Sequence, residues 1–297
     1  MSRPAAIEIE TPFLRLAGIA HGSADGRPVL ALHGWLDNAA SFDFLAPLIA
    51  PTLHLDFIAL DFPGHGLSDH RPPGINQYFV DNVPIIARAI RALGWNRVSL
   101  IGHSMGGGVC SLLAGTFPEL IERVVLIDAL GPMADDPEDA PARLQQSILY
   151  DIEKSEGGGD SQPLYRNKER AIRSRRRAGN LSEQSAGVLV ERNLEEVEGG
   201  FCWRTDPRLK TPSAVRLTEN QVTAFLRRIQ APVLLLAAED SQYRDGFEKM
   251  IRERIQAIAN IQVQYLPGGH HLHMENPEPV AEHIRAFFEG ESTDEKS

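Results

Sequence analysis

An α/β architecture built on a mostly parallel sheet is what this 297-residue sequence predicts, and three observations carry the prediction. Short apolar runs alternate along the chain with stretches of helical periodicity, the pattern of strands joined by crossover helices. The runs are continuous rather than alternating, as strands covered on both faces require. One of them, Arg97-Val98-Ser99-Leu100-Ile101, leads into Gly102-His103-Ser104-Met105-Gly106-Gly107, a serine between glycines where a strand turns sharply into a helix.

Taken in order, Ala6 to Glu10 and Phe13 to Ala20 alternate and read as two strands on a tight connection. Ala24-Asp25-Gly26 then reads as a hairpin turn. Apolar strands are predicted at Pro28 to Leu32, Leu55 to Leu60, Val98 to Ile101, Arg123 to Ile127, Val233 to Ala237 and Ile261 to Tyr265. Helical periodicity fills the gaps at Ala40 to Leu48, Tyr78 to Leu93, Met105 to Phe117, Arg244 to Ala259 and Pro279 to Phe288.

Residues 128–232 are too long a stretch for one crossover, and they carry helical patterns of their own at Ala142 to Glu153 and Arg166 to Arg177. The predicted organisation is therefore a sheet domain over 1–132 and 216–290, an inserted helical cap over 133–215, and a frayed polar tail over 291–297. The cap is expected over the carboxyl ends of the strands, where such sheets bind ligands.

Composition excludes several function classes. Thirty Lys and Arg against forty Asp and Glu give a net charge of −10, which argues against general binding of nucleic acid or anionic membranes. Neither a signal-peptide run nor a stretch of membrane-spanning length is present, and Cys110 and Cys202 have neither metal-ligand spacing nor a disulfide framework. A cytoplasmic protein is expected. Cys110 falls in the apolar helix after the elbow and reads as core filler.

A serine hydroxyl becomes a useful nucleophile only with a base beside it and N–H donors aimed at the developing oxyanion. G-x-S-x-G is short enough to arise by chance, so its setting decides. His270 is the preferred base, on the Gly-rich loop Leu266-Pro267-Gly268-Gly269-His270-His271-Leu272-His273 after the last strand, with His271 and His273 as rivals. Asp240, after the penultimate strand, is the preferred acid. Asp128, after the strand that follows the elbow helix, is the alternative, and both obey the order Ser, acid, His. Glu239 is expected to point elsewhere by alternation. The oxyanion donors are expected to be the N–H groups of Met105 and of Trp35 in His33-Gly34-Trp35, with the indole lining the pocket.

Together these residues resemble the α/β-hydrolase superfamily over nearly the whole chain. His33-Gly34-Trp35 is similar to its oxyanion loop, Asp61-Phe62-Pro63-Gly64-His65-Gly66-Leu67-Ser68 to its D-x-x-G-x-G-x-S turn, and Gly102 to Gly107 to its elbow. Within it, Leu32 to Phe42 and Gly269 to His273 look most like the serine hydrolase-like proteins.

The resemblance implies triad roles for Ser104, His270 and Asp240. A glutamate five positions after the histidine, here Glu275, favours His270 over His271, whereas Ala237 stands where glycine commonly precedes the acid. Serine in place of the aspartate nucleophile of capped relatives argues against epoxide opening and halide removal. Asp61, His65 and His103 read as structural.

The expected function is hydrolysis of a carboxylic ester or related small acyl substrate through an acyl-enzyme, with no cofactor required. Thioester, lactone or carbon–carbon hydrolysis on the same triad is the alternative, as is a low-turnover ligand-binding member of the fold. In the basic run, Arg166, Arg170, Arg173 and Arg177 share helical spacing. That face is expected to be solvated and paired with acids around Glu191 to Glu198, and alternatively to dock an anionic substrate group.

Overall fold

The computed structural model of the chain describes residues 4–74, 77–156, 162–241 and 248–290. The expected tail at 291–297, the Gly157-Gly158-Gly159 run and the first residues of the helix expected from Arg244 lie outside them.

The amino-terminal half runs β1 (Ala5–Glu10), β2 (Arg15–Gly22), β3 (Arg27–Leu32), α1 (Ala46–Ile49), β4 (Leu55–Leu60), α2 (Asn82–Ala92), β5 (Val98–His103), α3 (Met105–Thr116) and β6 (Ile121–Ile127). After β6 come α4 (Ala140–Glu156), α5 (Lys168–Gly179), α6 (Glu183–Asn193), the hairpin β7 (Leu194–Val197) and β8 (Gly200–Trp203), and then α7 (Glu219–Leu226), which packs on the sheet. The chain closes with β9 (Val233–Ala238), α8 (Glu248–Ala257), β10 (Ile261–Leu266), α9 (Leu272–Glu275) and α10 (Pro277–Glu289).

Eight strands form one sheet in the order β1-β2-β4-β3-β5-β6-β9-β10. The pairs from β4 to β10 are parallel, and β1 and β2 add an antiparallel edge. This is the α/β-hydrolase architecture. The period of two along each strand divides the core. Leu30, Leu32, Leu100, Leu126 and Leu235 pack against α2, α3 and α7, whereas Val29, Ala31, Ile101, Val125 and Leu234 pack against α1 and α10. Each such side chain taken fully out of water contributes about 1.5–3 kcal/mol.

One expectation is corrected. Ser23 to Gly26 do form a turn, closed by the Gly26 N–H on Ser23 O at 2.9 Å, but it does not make a hairpin. β2 pairs with β4, and β4 lies between β2 and β3. The apolar β3 and β4 pair in parallel through α1, so β2 is left the outer edge of β4.

The stretch from α4 to β8 and the turn after it are fastened to the loops that leave β3 and β4. Trp35 Nε1 donates to Leu209 O at 3.1 Å, Asn38 Nδ2 to Leu189 O at 2.8 Å, and Arg192 Nε to both Asp61 oxygens at 3.1 and 3.0 Å. The segment therefore rests on the carboxyl edge of the sheet. Sequence periodicity missed α6 and the hairpin: Ala186, Leu189, Val190 and Leu194 are buried in small clusters against α5 and Met274 rather than on the sheet.

Candidate active site

Ser104 sits between β5 and α3 with φ 50° and ψ −115°. A non-glycine residue held there costs about 1–3 kcal/mol, so the surroundings impose the conformation. Its N–H donates to Ile127 O at 3.1 Å. A serine at a helix N-cap normally spends its hydroxyl on a backbone N–H of the first turn; Ser104 makes no such bond, so its Oγ is not consumed by capping. Close packing explains the glycines. A Cβ on Gly106 would lie 2.0 Å from Leu32 O, and one on Gly102 would lie 2.6 Å from the Gly106 carbonyl carbon.

Met105 is the first residue of α3, where a backbone N–H has no acceptor within the helix and the helix dipole favours negative charge. Opposite it, the turn after β3 closes through the Asp37 N–H on Gly34 O at 3.1 Å, and the Trp35 N–H meets no acceptor among the described residues. Two buried histidines hold this turn. His33 Nε2 accepts from the Phe62 N–H at 3.0 Å while Nδ1 donates to Gly34 O at 2.7 Å. His65 repeats the pattern, accepting from the Leu36 N–H at 3.3 Å and donating to Pro63 O at 3.1 Å. Burial pushes their pKa down to about 4 and about 3, so both are neutral spacers. Trp35 is 53% exposed.

His270 Nδ1 donates to Asp128 Oδ2 at 2.6 Å. Asp128 follows β6 directly, with φ 48°, and its N–H bonds Leu236 O at 2.8 Å across the β6–β9 pairing. Its oxygens also accept from the Ala238 N–H at 3.1 Å and from Ser241 Oγ at 2.6 Å. Burial alone would raise the Asp128 carboxyl, but the bonds from His270 and Ser241 outweigh it and hold the group below the ordinary carboxylate range.

His270 thus meets Asp128, the alternative acid, and not Asp240. β9 ends at Ala238, so Glu239 and Asp240 lie past the sheet edge and are exposed, and the Asp240 backbone N–H is tied to Gly268 O at 3.0 Å. What β9 contributes instead is the Ala238 N–H and, just beyond it, the Ser241 hydroxyl.

The histidine rivals separate equally clearly. His271 Nε2 lies 3.3 Å from Asp37 Oδ2, and His273 is fully buried. His103, the residue before Ser104, is packed among all three, with ring centroids 4.7 Å from His270, 4.9 Å from His271 and 4.2 Å from His273. Its Nε2 bonds His270 O at 2.8 Å, so the elbow holds the backbone of the His270 loop directly. Burial pushes His103 down to about 4. Asp37 is also buried. Burial would raise its carboxyl, but His271, Arg175 and His103 outweigh that and hold it well below the usual range.

Within the basic run, the side chain that matters most is Arg175, which forms a buried ion pair with Asp37. Lys168 meets Glu191 at 2.8 Å. Asp37, Arg175, Arg192 and Ser241 had no sequence signal of their own: each acts through a partner remote in the chain.

Residues 29–283 match the alpha/beta hydrolase family. The chain belongs to that family. It is 36% identical over 293 residues to a serine hydrolase-like protein of Danio rerio, covering 96% of this chain and 88% of the relative. Serine hydrolase-like protein 2 of Homo sapiens is 31% identical, with coverage of 95% and 93%. The crystal structure of a hypothetical protein from Pseudomonas aeruginosa PAO1 superposes with a TM-score of 0.88 at 40% identity, covering 96% of this chain and 99% of that one. These similarities support hydrolase activity, and among the described residues no helix is long and apolar enough to cross a membrane.

Proposed function

We propose that this hydrolase cleaves carboxylic esters or closely related small acyl substrates through a covalent acyl-enzyme. Ser104 Oγ attacks the carbonyl carbon while His270 takes the hydroxyl proton, and the proton then passes to the leaving group as the carbonyl collapses. Water activated by the same imidazole cleaves the acyl-serine bond. Asp128 holds His270 in the tautomer with Nδ1–H and stabilises the imidazolium, and the N–H groups of Trp35 and Met105 receive the oxyanion.

The observation that carries this reading is the 2.6 Å bond from His270 Nδ1 to Asp128 Oδ2, on a histidine whose main chain is tied to the elbow through His103. A histidine oriented by a carboxylate, on a loop bonded to the residue before a strained serine, supports acyl transfer. The chemistry calls for no cofactor.

Residues 133–215 act as a cap in this proposal. Their attachment to the Trp35 and Asp37 loop supports it, as do their exposed apolar side chains Met133, Leu144, Ile148, Leu149 and Ile152, which suit an apolar acyl group. The free thiols Cys110 and Cys202 fit the reducing environment of a cytoplasmic enzyme.

A fluorophosphonate probe tests the reading. The wild-type chain is expected to be labelled at Ser104 and to hydrolyse p-nitrophenyl esters, and Ser104→Ala to do neither while keeping its circular dichroism spectrum. Ester turnover at wild-type rate in Ser104→Ala would overturn the assignment.

A further inference from the structure

The acyl-transfer chemistry uses His270 and leaves a second, buried set of donors unassigned. Asp37 Oδ2, His103 Nδ1 and His271 Nε2 all lie within 4.8 Å of one another. Asp37 Oδ2 is 3.3 Å from His271 Nε2 and 3.7 Å from His103 Nδ1. The His103 approach is too long for a hydrogen bond, and Asp37 Oδ2 and His103 Nδ1 are buried with no hydrogen-bond partner among the described residues, although the neighbouring His271 and Arg175 keep the carboxylate ionised. Two such atoms left facing each other in the interior are costly unless something sits between them.

The spacing and chemistry suit a cation. Four donors around a Zn²⁺ ion at bonds of about 2.0–2.1 Å lie roughly 3.3 Å apart, close to the 3.3 and 3.7 Å that separate Asp37 Oδ2 from the two imidazole nitrogens. Two imidazole nitrogens and one carboxylate oxygen suit a borderline divalent ion and leave a coordination position open.

The second shell is also in place. A histidine that binds metal through one nitrogen usually donates its other N–H to a carbonyl or carboxylate, and His103 Nε2 lies 2.8 Å from His270 O. Arg175 bonds the other Asp37 oxygen, Oδ1, and so orients the carboxylate with Oδ2 toward the histidines. Gly34 leaves the space open, since a Cβ there would lie 2.8 Å from Asp37 Oδ2 and 2.9 Å from His103 Nδ1. Access is from the side of His271, whose side chain is 10% exposed while those of Asp37 and His103 are at most 1%.

We propose that Asp37, His103 and His271 form a binding site for a divalent transition cation of the Zn²⁺ type, behind the catalytic histidine and distinct from the acyl-transfer centre. Bound there, the ion ties the oxyanion loop, the elbow and the His270–His271 backbone to one point. Arg175 keeps its positive charge close by, so the affinity is lower than that of an all-thiolate structural site.

The test uses the untagged full-length chain, stripped with a chelator and titrated with Zn²⁺ by calorimetry and with Co²⁺ by visible absorption. One ion per chain is expected, with the intense Co²⁺ bands of four- or five-fold coordination. His271→Gln and His103→Gln are each expected to weaken binding by more than about 100-fold, beyond the 10–100-fold typical of a second-shell change. Ser104→Ala is expected to bind as tightly as wild type, which separates this site from the acyl-transfer chemistry. X-ray absorption of the Zn²⁺-loaded wild type needs no variant, and two imidazole ligands are expected. Failure of the wild type to bind stoichiometric Zn²⁺, a shell of water oxygens only, or wild-type affinity in both histidine variants overturns the proposal.

Discussion

Replacing Asp128 by Asn is the most demanding test of the proposed active site, because the substitution keeps shape and removes only charge and acceptor capacity. Asp128 Oδ2 accepts from His270 Nδ1 and Ser241 Oγ, both at 2.6 Å, and Oδ1 accepts from the Ala238 N–H at 3.1 Å. Every partner is a donor. An asparagine amide must therefore turn its NH₂ toward one of them.

Facing His270, the amide forces the ring to carry its proton on Nε2, the nitrogen that has to accept the Ser104 proton. Facing Ala238, it sets donor against donor at a largely buried position, at a stability cost of about 1–3 kcal/mol. The first arrangement predicts a fall in turnover of up to about 10⁴-fold, equivalent to roughly 5.5 kcal/mol of transition-state stabilisation. Asp240→Asn touches an exposed carboxylate and is expected to stay within about two-fold of wild type. Pre-steady-state acylation by a p-nitrophenyl ester reads the effect at the step concerned. A chain in which Asp240→Asn is crippled while Asp128→Asn is active would refute the reasoning.

Two further outcomes follow from the buried polar groups. Burial lowers His21, His33 and His103 to about 4 and His65 to about 3, against 6.5 when unfolded. As pH falls below 6.5 the unfolded chain takes up these protons first, so stability present above 6.5 is lost on the way down to about 4. Asp43, raised to about 6 by burial, works in the opposite direction by less than about 1 kcal/mol, while His273, also lowered by burial, adds to the loss, so the net expectation is lower stability at pH 5.5 than at pH 7, on the order of several kcal/mol. Urea unfolding at the two pH values checks this, and equal midpoints would contradict it. Arg192→Met leaves Asp61, fully buried, without its cation, although Asp61 keeps the Ala39 and Leu67 N–H groups. A loss of about 3–5 kcal/mol is expected by chemical denaturation, and one below about 1 kcal/mol would show that the pair does not anchor α6.

Much of the site is local in origin and so was readable in the chain. The Ser104 elbow depends on glycines two and three positions away, and the proposed oxyanion turn on Gly34 beside Trp35. His270 stood out because it lies on a Gly-rich loop after the last strand, and the fold pairs it with Asp128. The acid was different, since Asp128 and Asp240 both follow apolar strands in an allowed order, and no rule of spacing separates them. The basic run misled in detail as well. Its helical face of Arg166, Arg170, Arg173 and Arg177 drew notice, whereas Arg175, between two of them, carries the buried pair with Asp37.

Sequence by itself determined the α/β-hydrolase class, the eight strands of the main sheet and the strained serine, because burial on two faces, helical period and the need for glycine are written within a few residues. Tertiary structure alone decided that β4 separates β2 from β3, that Asp128 rather than Asp240 meets His270, and that Asp37, His103 and His271 converge. Those outcomes depend on which strand ends become neighbours. His270 and Asp128 are 142 residues apart in the chain and 2.6 Å apart in the fold. A hydrogen bond is decided at that second scale, where sheet order and the exact end of each strand set which side chains can reach one another.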